Sequence, residues 1–247
     1  MDGGALAAAG VGWAAAGFGE LVAAEPTSWE AQRGLQDVLR SRLPEVEFLA
    51  RYEATGQSDA LSYYLEGRAR IADPEQAEAL FRKSLRAQAA NPWATAGLAY
   101  LAYSRGDLFG AVQTYEEAIT RAPRSAKLRL FLGNQFLELK LYVDAQRQLQ
   151  TALSLAPDDL EVRAALGKAM LALGQESEAL ELLESVHEAQ PLIVHIAPSL
   201  AALYLRQGRP GEAERVYQSA VVEGLPADEE LAAEISAALL IQRLEDR

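Results

Sequence analysis

A leucine followed by a small residue recurs every 34 residues through much of this chain. The four pairs are Leu98 with Ala99, Leu132 with Gly133, Leu166 with Gly167, and Leu200 with Ala201. Two more columns keep the same phase: Ala111, Ala145, Ala179 and Ala213, and the bulky Tyr115, Leu149, Leu183 and Tyr217. A fixed period of this length is typical of stacked repeats, in which each unit buries its apolar face against its neighbours.

The amino-acid composition, together with the glycines and prolines at fixed places in each repeat, predicts two helices per unit. Half of the residues are hydrophobic, and alanine and leucine dominate this set while aromatic residues are sparse. This composition favours helices over strands. Gly106, Gly174 and Gly208 stand where a left-handed residue would end a first helix, and Lys140 in the same place predicts a different turn. Three prolines begin the next unit because they cannot continue a helix: Pro123, Pro157 and Pro191.

The pattern resembles the tetratricopeptide repeat (TPR) family, whose unit is a helix–turn–helix with the same order of leucine-small, bulky and alanine positions. The resemblance implies an all-α, right-handed α-solenoid with terminal capping helices. We expect an N-terminal helical segment with a degenerate helical pair in residues 1–57, five repeats in 58–227 and a C-terminal capping helix in 228–247. The expected repeats are 58–91, which is irregular, then 92–125, 126–159, 160–193 and 194–227.

The C-terminal helix carries two apolar stripes. Asp228 is placed to cap it, and a stripe of Leu231, Ile235 and Leu239 would dock on the last repeat. A second set, Leu240, Ile241 and Leu244, would lie on the outer side. This second set predicts either a self-association surface or simple burial within the chain.

In the TPR family the first helix of each repeat lines a concave groove that holds a partner. Transferring those positions gives a predicted peptide-binding groove of ten residues: Trp93, Tyr100, Tyr103, Lys127, Leu130, Asn134, Leu137, Lys168, Leu171 and Leu205. Glu161, Ala202 and His195 stand at equivalent positions. The clamp that grips heat-shock protein tails is not expected, because Leu130 and Ala96 occupy places where it needs polar groups.

Several of these residues have a second interpretation. Asn134 either hydrogen-bonds a peptide main chain through its donor and acceptor or faces solvent. Trp93 follows Pro92 at a helix start and either binds a partner or acts as a staple between units. Lys127 and Lys168 either clasp a carboxylate or are solvated.

Pro198 falls where the first helix of the fifth repeat should run, at a cost of about 3 kcal/mol inside a helix. We therefore expect this helix to begin at Ala197 or Pro198, after an extended segment from Leu192 to Ile196. This irregularity leaves the groove position of His195 open.

Charge limits the range of partners. A net charge of −12 repels nucleic acid and anionic membrane surfaces. Residues 3–19 carry no charge, but they are too short and too rich in glycine and alanine for an integral membrane span. We interpret them as an ordinary helix of a cytoplasmic protein, with an export signal or a membrane-proximal anchor as alternatives.

No pattern in the chain predicts catalysis. The two histidines, His187 and His195, lack metal-ligand spacing, cysteine is absent, and there is no glycine-rich phosphate loop. We expect no catalytic residue, metal or cofactor. The leading hypothesis is a non-catalytic adaptor for a protein or peptide partner, and the alternative is a structural protein that forms homo-oligomers through its ends or its N-terminal segment. A small-molecule sensor or enzyme accessory is a third hypothesis.

Overall fold

The computed structural model describes residues 29–53, 59–191 and 194–245, with no description of the side chains of 29–31, 51–53 and 194. Every regular element in these ranges is helical, and no strand is present among them. The predicted fold class, an all-α architecture of TPR-type helix–turn–helix repeats, is confirmed. The expected helix in residues 3–19 lies outside the described residues.

The chain divides into two compact units, with the boundary between Pro123 and Arg124. The described helices of unit 1 are α1 (Trp29–Arg40), α2 (Glu45–Glu53), α3 (Ala60–Ala69), α4 (Pro74–Ala87), α5 (Pro92–Ser104) and α6 (Leu108–Arg121). Those of unit 2 are α7 (Ala126–Glu138), α8 (Tyr142–Leu155), α9 (Leu160–Ala172), α10 (Glu176–Ala189), α11 (Ala197–Arg206), α12 (Pro210–Val222) and α13 (Glu229–Glu245).

Aspartate or asparagine side chains cap six of the thirteen described helices. Asp73 accepts a hydrogen bond from the Gln76 N–H, with Pro74 in the first turn of α4 as the sequence predicts. Asp228 likewise accepts from the N–H groups of Glu230 and Leu231 and so caps α13. Such caps satisfy N–H groups that have no partner within the helix, and each stabilises by about 1 kcal/mol.

The repeating alanines and bulky residues form the core of each unit. The alanine column is completely buried at Ala111, Ala145, Ala179 and Ala213. The bulky column lies beside it and is also buried, at Tyr115, Leu149, Leu183 and Tyr217. Both columns lie on the second helix of each repeat, and bulky residues fill space left by small residues of the first helix, as at Gly133 beside Leu149 and Gly167 beside Leu183.

In the first repeat one aromatic ring packs against two glycines. Phe81 of α4 is fully buried. A Cβ built at Gly67 would stand 2.8 Å from the Phe81 ring, and one at Gly97 would stand 2.6 Å from it. The ring is thus wedged between glycines of α3 and α5, and only residues without a side chain fit at both places.

The turn at Lys140 corrects the sequence-based expectation. Lys140 has φ 58°, in the left-handed region that Gly106 also occupies with φ 83°. Its N–H donates to the Leu137 carbonyl at 2.9 Å, and the next N–H, of Leu141, donates to the Phe136 carbonyl at 2.8 Å. The glycine-containing turns have the same pair of bonds. A different turn at Lys140 is therefore wrong: the hydrogen bonds and the packed helices impose the same backbone on a lysine.

The start of α11 is as predicted, and the segment before it is not. The helix begins at Ala197 with Pro198 in its first turn, where the missing N–H costs nothing. Val194–Ile196 form a 3₁₀ turn rather than an extended segment, and residues 192–193 of that predicted segment lie outside the described residues. The buried Ile196 draws this turn into the core of unit 2.

Helix α1 is attached to α3 by polar contacts. The Gln36 amide donates to the Leu65 carbonyl at 2.6 Å, and the Arg40 guanidinium donates to the carbonyls of Arg68 and Ala69 at 2.7 and 2.9 Å. Arg68 returns a hydrogen bond to the Gln36 side chain at 2.8 Å. Arg40 thus satisfies carbonyl groups at the end of α3 that have no partner within that helix.

Helix α13 buries one side and exposes the other. Leu231 and Ile235 are buried against unit 2, and Leu239 packs partly against the same core. The outer residues Leu240, Ile241 and Leu244 are 57–60% exposed, so the described part of the chain does not bury them. None of the helices that the structure describes is both long and apolar enough to cross a membrane.

Candidate functional site

The three predicted groove residues of unit 1 differ in accessibility. Trp93 is only 6% exposed, and the Arg33 guanidinium lies 4.1 Å from the centre of its ring. Tyr100 is 46% exposed, and its ring centre is 6.4 Å from that of the half-buried Tyr103. The two tyrosines are therefore surface residues, whereas Trp93 packs between elements of unit 1. Its assignment to an open groove is wrong, because α1 supplies the residue that covers it.

Leu130 is the second residue that the structure removes from the predicted groove. It is 2% exposed in α7. Ala96 and Ala164 stand at the same position of neighbouring repeats and are also buried. This column serves helix packing, and its small residues were the sequence signal that could have shown it.

The remaining predicted residues of unit 2 form a surface on the first helices of three repeats. We call this surface the A face, and it consists of Lys127, Asn134, Leu137, Glu161, Lys168, Leu171 and Leu205. Asn134 is exposed, and the three leucines are partly buried. Leu137, Leu171 and Leu205 hold the same position in successive repeats.

An ion pair joins two repeats across the A face. The Lys127 ammonium donates to the Glu161 carboxylate, which stands at the equivalent position one repeat later. The same ammonium lies 5.6 Å from the centre of the Phe131 ring. Both side chains are substantially exposed, so the pair contributes little to stability, on the order of 0–1 kcal/mol. Its main consequence is that the two charges cancel locally.

Lys168 has a different environment. It is half-buried, and the described part of the chain gives its ammonium no hydrogen bond or ion pair. Burial lowers the pKa of Lys168 because removal from water penalises the charged form, and the Glu138 carboxylate opposes that shift. Burial also lowers the pKa of His195, and the positive charge of Lys168 adds to this effect while Glu161 opposes it.

The A face can therefore offer three kinds of contact. Its leucines can bury apolar side chains, Asn134 can both donate and accept a hydrogen bond, and Lys168 can pair with an anion. Within the described residues no group of acidic or histidine side chains could hold a metal ion. The arrangement suits recognition of a chain with mixed apolar and polar groups.

The family comparison agrees with the repeat pattern. The protein-family model described as "Tetratricopeptide repeat" matches residues 136–192, which run from the end of α7 to just past α10. No curated protein matches the sequence.

Solved structures share the fold at low sequence identity. The Pseudomonas aeruginosa protein pilF is 21% identical with a TM-score of 0.63, and the match covers 75% of this chain and 91% of that chain. A thermophilic TPR protein of Thermus thermophilus is 22% identical with a TM-score of 0.56, covering 73% and 99%. YrrB, described as a TPR protein with an unusual peptide-binding site, is 20% identical with a TM-score of 0.55, covering 79% and 97%. At this identity the likeness establishes the architecture.

Proposed function

We propose that this chain, a tetratricopeptide repeat protein, is a non-catalytic scaffold that binds an extended segment of a partner protein on the A face of unit 2. The observation that carries the proposal is the row formed by Leu137, Leu171 and Leu205. These leucines recur at one position of three repeats, and none belongs to the fully buried core. An apolar row beside an exposed amide is suited to an extended peptide.

The spacing of the row favours a ligand with a three-residue repeat. The first helices α7 and α9 pack against each other, and packed helices lie about 8–10 Å apart, so Leu137 and Leu171 are separated by roughly that distance. A polyproline-type extended chain has three residues per turn and advances about 9 Å per turn. A ligand in this conformation would present an apolar side chain to each leucine with every third residue, while Asn134 holds its main chain.

Capture by three forms of the protein tests this proposal. The A-face variant carries Leu137→Ala and Leu171→Ala, and the matched control carries Val143→Ala and Val222→Ala, two exposed apolar residues of unit 2. Proteins captured from the native cell are reproduced as overlapping synthetic peptides. Calorimetry then measures the affinity of each peptide for the purified full chain and for the two variants. We expect the A-face variant to lose at least about tenfold in affinity, which corresponds to about 1.4 kcal/mol, and the control to bind like the parent. Equal binding by both variants would remove the A face from consideration.

A second candidate function is self-assembly through α13. The observation that favours it is the exposure of Leu240, Ile241 and Leu244 on the side of the helix opposite Leu231 and Ile235. Light scattering over a range of concentrations tests it, with the full chain, a Leu240→Ser and Leu244→Ser variant, and a form lacking residues 1–26. An oligomer lost only in the double variant supports the α13 surface, and one lost only on truncation supports the N-terminal segment. A monomer in all three forms excludes self-assembly.

A further inference from the structure

Lys168 is a half-buried positive charge that forms no ion pair with any described residue. The chain has four lysines: Lys83, Lys127, Lys140 and Lys168. Lys83 and Lys140 are exposed, and Lys127 is paired with Glu161. Only Lys168 is half-buried without a hydrogen bond or ion pair from the described residues. Lysine is rarely buried unless it is paired, because desolvating an ammonium costs free energy.

Nearby charges do not neutralise it. Glu138 acts on Lys168 electrostatically but forms no ion pair with it. Glu161, whose charge acts on His195, is engaged by Lys127. His195 lies near Lys168, and its pKa is lowered by burial and then by the positive charge of Lys168. A carboxylate approaching from outside would therefore find an unused positive charge, even though the whole chain is acidic.

We infer that the A face selects a partner segment with an internal aspartate or glutamate, whose carboxylate pairs with Lys168 between apolar residues that contact the leucine row. This inference rests on the proposed function and specifies the partner's chemistry. Lys168 belongs to the repeat that contains Leu171, and leucines stand in the repeats before and after it, at Leu137 and Leu205. A ligand that contacts all three leucines must continue on both sides of Lys168, so the acid lies within the segment and not at its end.

Peptide selection against the purified full chain tests the chemistry directly. The probe is a displayed library of peptides with twelve random positions between fixed glycine–serine flanks, which excludes a free chain end. We expect enriched sequences to share an acidic residue with apolar residues about three positions away on each side. Enriched peptides without an acid would overturn this inference and leave the proposed function intact. Failure to enrich any peptide would count against both.

Variants of the protein separate a charge contact from a structural effect. Against an enriched peptide we expect Lys168→Met to weaken binding about tenfold or more, Lys168→Arg to retain most of it, and Lys140→Met, a change at an exposed lysine, to leave it unchanged. Replacing the peptide's acid by its amide should match the loss in Lys168→Met and cause no further loss in that variant. Amidating the peptide's C-terminus should have no effect. Binding that is unchanged in Lys168→Met, or that depends on the peptide's C-terminal carboxylate, would refute the pairing of Lys168 with an internal acidic residue.

The ammonium itself provides a second readout. After mild reductive methylation with ¹³C, the Lys168 signal can be assigned by its absence in Lys168→Met and titrated by NMR. An ion pair favours the charged form, so the pKa of Lys168 should rise when the acidic peptide is bound. An unchanged titration in the saturated complex would show that the carboxylate does not reach Lys168.

Discussion

Gly133 lies directly against Leu149, and a Cβ at Gly133 would stand 2.6 Å from the leucine Cγ. The same relationship recurs one repeat later, where a Cβ at Gly167 would stand 2.8 Å from the Leu183 Cγ. Both leucines are fully buried. The two helices of each repeat therefore approach so closely that even a methyl group has no room at the glycine.

Gly167→Leu should destabilise unit 2 by more than about 2 kcal/mol, because overpacking forces the helices apart or the side chains off their rotamers. Chemical denaturation followed by circular dichroism measures the change. Gly211→Ala is the matched control, since nothing lies within 4 Å of a Cβ at that position. Leu183→Ala should cost less in a Gly167→Ala background than in the parent, because the added methyl group fills part of the space that the leucine leaves. If Gly167→Leu melted like the parent protein, the assigned repeat register would be wrong.

Lys140→Gly should stabilise the protein by about 1 kcal/mol. The left-handed backbone at Lys140 is strained for a residue with a Cβ and free of strain for glycine. Part of the gain is offset by the greater flexibility of glycine in the unfolded chain. Thermal unfolding should show a rise of a few degrees. Lys140→Ala keeps the Cβ and removes the charge, so a similar rise in that variant would contradict the backbone explanation.

Asn91→Ala should cost about 2–3 kcal/mol in unit 1, because it removes a helix cap and a buried hydrogen bond together. The Asn91 oxygen accepts from the N–H groups of Trp93 and Ala94, and its amide donates to the Ser84 hydroxyl at 2.8 Å. Ser84 in turn donates to the Ala60 carbonyl at 2.6 Å. Asn91→Asp keeps the cap but cannot donate to Ser84. In urea unfolding it should fall between the parent and Asn91→Ala, and a loss equal to that of alanine would argue against the cap.

Stability should decrease on acidification because of His195. Its pKa is lower in the folded chain than the ordinary value of 6.5, through burial and then through Lys168. The unfolded state therefore binds the proton more readily, and stability falls as the pH drops from about 6.5 through the lowered folded pKa. Urea midpoints at pH 7 and pH 5 should differ less in His195→Gln than in the parent. Lys168→Met should also reduce the difference, and an identical pH dependence in all three proteins would contradict the assignment.

Much of the fold follows from the sequence because repeat packing is local and periodic. The glycines at 133 and 167 and the leucines at 149 and 183 belong to columns that one sequence displays without an alignment. The left-handed turn at Lys140 could not be predicted in this way, because hydrogen bonds from the flanking helices set its conformation and no local propensity shows them. The 3₁₀ turn before α11 depends in the same way on a tertiary contact, the burial of Ile196.

The site was less predictable because the exposure of a side chain depends on which distant parts of the sequence pack against it. The family position of Trp93 suggested exposure, but Arg33, which lies far earlier in the sequence, covers the ring. Lys127 and Lys168 looked equivalent as groove lysines. Only the structure distinguishes them, since Glu161 neutralises the first and the second is half-buried without a partner among the described residues.

Helix α1 should detach from unit 1 when Arg40 loses its hydrogen bonds. Arg40→Met retains an apolar stem of similar length but cannot donate to the carbonyls of Arg68 and Ala69. Because α1 packs only sparsely on the other described helices of its unit, we expect local opening to become easier by about 1–2 kcal/mol while the rest of the unit stays folded. Hydrogen exchange should accelerate in α1 alone. The matched variant Arg42→Met, at an exposed arginine, should leave exchange unchanged. Equal protection of α1 in both variants would show that apolar packing, rather than Arg40, holds the helix in place.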